Sequence, residues 1–139
     1  MNNLKKRVLF LCTHNSARSQ MAEAFLNHLF GEHFEAKSAG ITPTKINPLV
    51  VKVMAEEGID LRNARSKDVE EFMEDNFNLV MTLCDDAKEN CPVFLGGELD
   101  HRGFRDPSSI DGTEEEILVG VREIRDEIKK WITEKFRGY

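Results

Sequence analysis

The sequence predicts an α/β fold in which short apolar strands alternate with amphipathic helices. Three observations carry it. Residues 7–11 (Arg-Val-Leu-Phe-Leu) and 78–83 (Asn-Leu-Val-Met-Thr-Leu) are near-continuous apolar runs of strand length, the pattern of parallel strands buried on both faces. Elsewhere, apolar residues recur at three- and four-residue spacing, as on helices that cover such a sheet. No repeat, low-complexity tract or Pro/Gly/Ser-rich linker divides the 139 residues, which suit a single domain over 1–139 with a real core.

The first strand, 7–11, runs straight into Cys12. From Ser16 onward, Met21, Ala24, Phe25 and Leu29 form a helical stripe, and Gly31 stands where that helix would stop. A weaker strand is expected at 34–39, then a helix over 48–57 closed by Gly58, then a short helix over 67–75. Residues 78–83 form the second clear strand, with Cys84 at its end. A further short strand is expected at 93–95, before Gly96 and Gly97. The last helix is the best signalled. Thr113 with Glu116 makes a capping box, and Glu114 and Glu115 suit a helix N-terminus. Ile117, Val121, Ile124, Ile128 and Trp131 then form one apolar stripe, which places Trp131 in the core rather than in a ligand site.

Composition narrows the function. The chain is 40% hydrophobic and 32% charged, ordinary for a soluble globular protein. A formal net charge of −6, with scattered basic residues, argues against nucleic acid or an anionic membrane as partner. The apolar run at 8–11 is too short for a signal peptide or a membrane span, so a cytoplasmic location is expected. Three cysteines do not make a secreted disulfide framework. In a reducing compartment such thiols are buried, reactive or metal-bound. His28, His33 and His101 share no metal-ligand spacing with them, so neither metal nor cofactor is expected.

The loop Cys12-Thr13-His14-Asn15-Ser16-Ala17-Arg18-Ser19 falls between a buried strand and an amphipathic helix. There its backbone N–H groups and the helix N-terminus can aim at one anion, so residues 13–18 are candidates for substrate binding. The same field favours a thiolate, and Cys12 is expected at a lowered pKa of about 4–7. Arg18 brings a planar fork of donors for two oxygens of a tetrahedral oxyanion. Ser19 is a candidate donor to the thiolate, and Asn15, tolerant of left-handed backbone, a candidate brace. Cysteine, five residues, arginine and serine is a phosphatase-type signature, made specific by its place between strand and helix. His14 is as readily a side chain facing solvent as one with a role.

Cys84, like Cys12, is expected at the carboxyl end of a parallel strand, hence on the same sheet edge, where α/β folds bind ligands. A second thiol there can attack the sulfur of a first-thiol adduct. Cys84 and Cys91 on one helix would stand about 10 Å apart along the axis. A disulfide needs Cα atoms within about 7 Å, so joining them requires the polar turns between to unwind.

These features resemble the thioredoxin-coupled arsenate reductases, relatives of the low-molecular-weight protein tyrosine phosphatases. The resemblance covers nearly the whole chain. It includes the Cys12–Ser19 loop with Gln20-Met21-Ala22-Glu23, Ser38-Ala39-Gly40, the run Thr82-Leu83-Cys84-Asp85-Asp86-Ala87 with Asn90-Cys91-Pro92, and Phe104-Arg105-Asp106-Pro107. The phosphatase branch lacks the Cys84/Cys91 pair. The resemblance implies a three-layer fold, a four-stranded parallel sheet flanked by helices. It also implies a relay. Cys12 attacks arsenate held by Arg18 and the loop, and Asp106 protonates the departing oxygen. Cys84 then releases arsenite by forming a disulfide with Cys12, and Cys91 takes over Cys84 for reduction by thioredoxin or a similar dithiol. Ala17 replaces a common cysteine outside this relay, and His14 replaces the usual glycine.

Members with a structural potassium ion use residues matching Asn15, Glu23 and Ser38 plus an aspartate, whose place here is Lys67. Either the Lys67 ammonium stands in for the ion, or Lys67 is solvated and Asp68 takes the ligand role. Two other functions compete with the reductase. One is a phosphatase for phosphotyrosine or small aryl phosphates, against which stands the absence of an aromatic residue in Pro107-Ser108-Ser109. The other is a non-catalytic oxyanion or redox sensor, which would have no use for Asp106. Nothing requires more than a monomer.

Overall fold

The computed structural model describes residues 4–84 and 97–138. Four strands, β1 (Lys6–Cys12), β2 (Phe34–Gly40), β3 (Leu79–Thr82) and β4 (Glu98–His101), form one parallel sheet in the order β2-β1-β3-β4. Among the described residues three α-helices follow the predicted positions: α1 (Arg18–Phe30), α2 (Pro48–Ala55) and α3 (Glu114–Phe136). The strand order turns back between β1 and β3, so the crevice of the sheet opens beyond their carboxyl ends. Cys12 and Cys84 stand at those two ends.

Successive side chains of the central strands go to opposite faces. Val8, Phe10 and Met81 join one core with α1, α2 and α3. Leu9, Leu11 and Val80 join a second, smaller core with Val69, Phe72 and Phe77. Both faces are therefore covered, which is why these strands read as continuous apolar runs. Among the described residues the second cover is not an α-helix. The helix expected over 67–75 is a single 3-10 turn, Val69–Phe72, capped by Asp68 with Glu71 closing the capping box.

The helices differ in detail from expectation. Helix α1 begins at Arg18 rather than Ser16, because the loop keeps its own conformation through Ala17. Asn47 caps α2 by accepting the Leu49 N–H at 2.9 Å. On α3 the buried stripe is Leu118, Val121, Ile124, Arg125, Ile128, Ile132 and Phe136, with Ile117 and Trp131 at its margin. Buried Arg125 donates to the Val53 carbonyl and to Glu56, tying α3 to the end of α2. Hydrogen bonds from Arg122 and Arg125 pull the Glu56 carboxyl down to about 2.

The fourth strand was not anticipated. The strand expected at 93–95 lies outside the described residues, and β4 follows Gly97. Its residues are Glu98, Leu99, Asp100 and His101, mostly exposed, with Leu99 56% accessible. An edge strand that buries little leaves no apolar signal. Gly97 enters it at φ +72°, where an added Cβ would lie 2.1 Å from the Phe77 carbonyl oxygen, so no other residue fits.

Gly40, at the end of β2, touches the Cys12 loop directly. An added Cβ there would meet Asn15 N, the His14 carbonyl carbon and the Thr13 carbonyl oxygen at 2.9 Å each. All three are backbone atoms, which cannot swing aside. Gly40→Ala should therefore lower stability by about 1–3 kcal/mol, measured by urea denaturation, and weaken oxyanion binding by displacing the loop.

Candidate active site

The loop after β1 is shaped from outside. Ile41, Thr42, Thr44 and Asn47 donate their backbone N–H groups to the carbonyls of Cys12, Thr13, His14 and Ser16, at 3.1, 2.7, 3.2 and 2.9 Å. The chain contains no cis peptide among the described residues. In a trans peptide the C=O of one residue and the N–H of the next point opposite ways. Outward carbonyls at 12, 13, 14 and 16 thus turn the N–H groups of Thr13, His14, Asn15 and Ala17 inward. This converging set of N–H groups is an anion cradle. Helix α1 adds its own N-terminus: Ala17 is the N-cap, and no side chain caps the first turn.

Asn15 holds this shape. It is fully buried and has φ +51°, a left-handed conformation. Its side-chain amide donates to Ser19 Oγ at 2.8 Å, and its Oδ1 accepts from Gln20 Nε2 and Lys67 N, both at 2.8 Å. Ser66 Oγ and Gln20 Nε2 donate to its main-chain oxygen at 2.9 and 3.2 Å. Ser19 Oγ accepts from Asn15, so its own hydrogen is not used in that bond. Gln20 and Ser66 were not anticipated as braces. Their only signal is position: Gln20 one residue beyond the motif, Ser66 beside Lys67.

Arg18 is 9% exposed and held from behind, with one guanidinium nitrogen donating to the Phe104 carbonyl at 2.9 Å. The Phe104 ring packs edge-on against Trp131, centroids 5.4 Å apart, so the last helix sets the clamp's position. Trp131 is structural, as expected, and yet one contact from the site. Arg102 and Phe104 donate backbone N–H groups to the Thr82 and Leu83 carbonyls, bringing the following turn to the same sheet edge. Asp106 in that turn approaches Arg18 at 3.8 Å. Burial alone would raise the Asp106 carboxyl. Hydrogen bonds from the Ser108 N–H and hydroxyl, then the charges of Arg18 and His14, outweigh it and hold the group below its ordinary value.

The two described cysteines meet. Cys12 and Cys84 are free thiols, buried at 3% and 9% exposure, and near enough for Cys84 to act on the Cys12 thiol. Thr13 Oγ1 lies 3.2 Å from Cys84 Sγ. This corrects the expected acidic Cys12. The hydrogen bond with Cys84, then burial, push the Cys12 thiol up from its ordinary value, more than Arg18 pulls it down. Cys91, and the expected unwinding between Cys84 and Cys91, lie outside the described residues.

Behind the loop, Lys67 Nζ stands 3.5 Å from Glu23 Oε1 and 3.3 Å from the Arg65 carbonyl. Ser38 Oγ donates to the same Glu23 oxygen. Asp68 caps the Val69–Phe72 turn, accepting the Glu70 N–H at 2.9 Å, so it is engaged elsewhere. Of Asn15, Glu23, Ser38 and Lys67 only Glu23 is anionic, and its charge already faces the Lys67 ammonium, a set that does not suit an added potassium ion. Among the described residues no His, Cys, Asp and Glu cluster could hold a metal, and no helix is long and apolar enough to cross a membrane. His101 binds Thr82 Oγ1 at 2.8 Å. Ser16 accepts from Asn47, Thr13 and Ala17 lie on the loop, and His14 is exposed on its rim, Nδ1 2.9 Å from the Thr42 carbonyl.

A parallel α/β sheet with a Cys-x5-Arg-Ser cradle between its first strand and first helix defines a class. Residues 7–135 match the low molecular weight phosphotyrosine protein phosphatase family, and the chain belongs to it. Within that family, it is 43% identical over 124 residues to the arsenate reductase of Bacillus subtilis (strain 168), covering 88% of this chain and 89% of that protein. A solved arsenate reductase in the phosphate binding state superposes with TM-score 0.77 at 28% identity, covering 93% and 95% of the two chains. The thioredoxin-dependent arsenate reductase of Corynebacterium glutamicum gives TM-score 0.64 at 28% identity, over 96% of this chain and 64% of that one.

Because Cys84 is the largest influence raising the Cys12 thiol, Cys84→Ala should lower its pKa. Peptide-resolved alkylation of Cys12 by iodoacetamide, followed against pH, should shift its midpoint downward. An unchanged midpoint would contradict the pairing.

Proposed function

We propose that this chain is an arsenate reductase using a Cys12–Cys84–Cys91 relay regenerated by thioredoxin or a similar dithiol. One observation carries the reading: a second buried thiol, Cys84, stands at the nucleophile's loop, its Sγ 3.2 Å from Thr13 Oγ1. Water is the resolving agent of a phosphatase and needs no such thiol. The B. subtilis and C. glutamicum relatives support the same reading.

Arsenate enters as the dianion, its oxygens taken by the inward N–H groups and Arg18. Cys12 sulfur bonds to arsenic as its proton leaves, and the arsenic–hydroxyl bond breaks. Asp106 passes a proton to that hydroxyl, which departs as water. The resting protonation fits this traffic: Cys12 is held as a thiol and Asp106 as a carboxylate, so the proton lost at sulfur is the one gained by the leaving oxygen. Cys84 sulfur then attacks Cys12 sulfur as its proton passes to an oxygen of the departing arsenic group. The sulfur–arsenic pair of electrons goes to arsenic, giving arsenite and a Cys12–Cys84 disulfide. Cys91 attacks Cys84, freeing Cys12, and the external dithiol reduces the Cys84–Cys91 bond.

Cys12, Arg18, Cys84 and Asp106 come from one chain, so a monomer suffices. Resting thiols of this kind belong to a reducing compartment, which favours the cytoplasm. Lys67, with Glu23, Ser38 and Asn15, braces the loop in place of a metal ion.

Arsenate-dependent NADPH consumption with thioredoxin and its reductase tests the relay. Wild type should turn over, and Cys84→Ser and Cys91→Ser should not. No arsenate-dependent oxidation by wild type would sink the proposal. Aryl phosphatase activity that survives Cys84→Ser, without reductase activity, would favour a phosphatase. Asp106→Asn should lower kcat by about 10²–10⁴-fold while phosphate still binds; unimpaired turnover would remove Asp106 from the chemistry. If Lys67 replaces a cation, potassium and sodium at equal ionic strength should give the same melting temperature. A rise with potassium alone would refute that role.

A further inference from the structure

Asp106, the acid of the reaction above, is held by more than its turn requires. It is the N-cap of the 3-10 turn Pro107–Ser109, and its Oδ1 accepts the Ser108 N–H at 2.9 Å, the bond that a cap makes. Ser108 Oγ donates to the same oxygen at 2.8 Å. Ser109 Oγ goes elsewhere, to the Asp106 main-chain carbonyl at 2.7 Å. Both contacts of Ser108 with the carboxylate therefore fall on Oδ1. Oδ2 is the oxygen that meets the clamp, 3.8 Å from Arg18 Nη2.

We propose that Ser108 is a positioning residue: its hydroxyl holds Asp106 Oδ1, so that Oδ2 carries the proton delivered to the leaving oxygen. This rests on the reading of Asp106 as the acid. A carboxyl group can take its proton on either oxygen. On Oδ1 that proton would compete with two donors already there, and at least one bond from Ser108 would be lost. On Oδ2 the acid keeps both, with Oδ1 as its carbonyl oxygen. The proton that leaves Cys12 sulfur thus rests on Oδ2 and passes to the arsenic-bound hydroxyl, which departs as water. Asp106 returns to a carboxylate without releasing Oδ1. Hydrogen bonds to an ionised acceptor are the stronger ones, so Ser108 also favours the resting carboxylate, against burial and together with the charges of Arg18 and His14. The Ser108 side is exposed, and water can replace part of what the hydroxyl gives. The cost of losing it should be about three- to tenfold in rate.

The turn itself supplies the comparison. Ser108→Ala removes the hydroxyl and keeps the N–H that caps the turn. Ser109→Ala removes a bond of similar length from the same turn without touching the carboxylate. The Asp106 carboxyl ¹³C resonance, assigned by its loss in Asp106→Asn, is titrated in the whole protein. Its midpoint should move up in Ser108→Ala, return toward wild type in Ser108→Thr, which keeps a hydroxyl, and stay in place in Ser109→Ala. At saturating arsenate, the single-turnover loss of thiols should slow about three- to tenfold in Ser108→Ala, while calorimetry gives an unchanged dissociation constant for phosphate. An unmoved midpoint in Ser108→Ala, an equal move in Ser109→Ala, or no return in Ser108→Thr overturns the proposal. So does a slower rate matched by an equal loss of phosphate affinity, which would mean only a loosened turn. Wild type that loses no thiols to arsenate sinks the reductase reading, and the titration still decides the role of Ser108.

Discussion

Everything at the site depends on the direction of a few peptide planes. N–H groups that converge on one point repel each other and gain nothing until an anion arrives, so the loop cannot hold that shape by itself. The shape is held by the strap at residues 41–47 outside, and by Asn15 within, whose five hydrogen bonds join the loop, the first turn of α1 and residues 66–67. A left-handed Asn costs on the order of 1 kcal/mol, which that many buried hydrogen bonds offset. The cradle is therefore formed before its ligand, and little reorganisation is left for binding or for chemistry.

The protonation of the resting site follows from contacts rather than from the loop's field. A helix terminus and an arginine favour a thiolate, but the thiol of Cys84 and the burial around Cys12 oppose them and prevail. Asp106, tied by Ser108, is left ionised. A buried thiol without charge is a poor nucleophile toward stray electrophiles and oxidants. In the proposed relay the arriving dianion supplies the change: it draws Arg18 and sets negative charge beside Asp106.

The sequence exposed what repeats or packs on two sides. β1, β3 and the last helix announce themselves by apolar pattern and caps, and the loop by residue types at fixed spacing. β4 was not legible, since a charged edge strand buries too little to leave a period. The 67–75 helix shrank to a single turn because Asp68 and Glu71 cap a segment too short to go on. In the site, Cys12, Asn15, Arg18, Cys84 and Asp106 could be named from type and order. The high thiol of Cys12 could not, because it depends on the meeting of two residues 72 positions apart in number. Gln20 and Ser66 were hidden for the same reason: a polar residue becomes a brace only through what the fold sets beside it.

Helix α1 has Ala17 as its N-cap, with no side chain to satisfy its first N–H groups. Most helices spend a serine, threonine or aspartate there, worth about 1 kcal/mol. Here a side-chain cap would occupy the ground that the oxyanion needs, so the ligand itself serves as the missing cap. The protein's fold stability is then partly a property of its surroundings. An anion at a hundred times its dissociation constant adds about 2.7 kcal/mol to stability. Phosphate in the cell would thus hold the resting protein together even while it competes for the site.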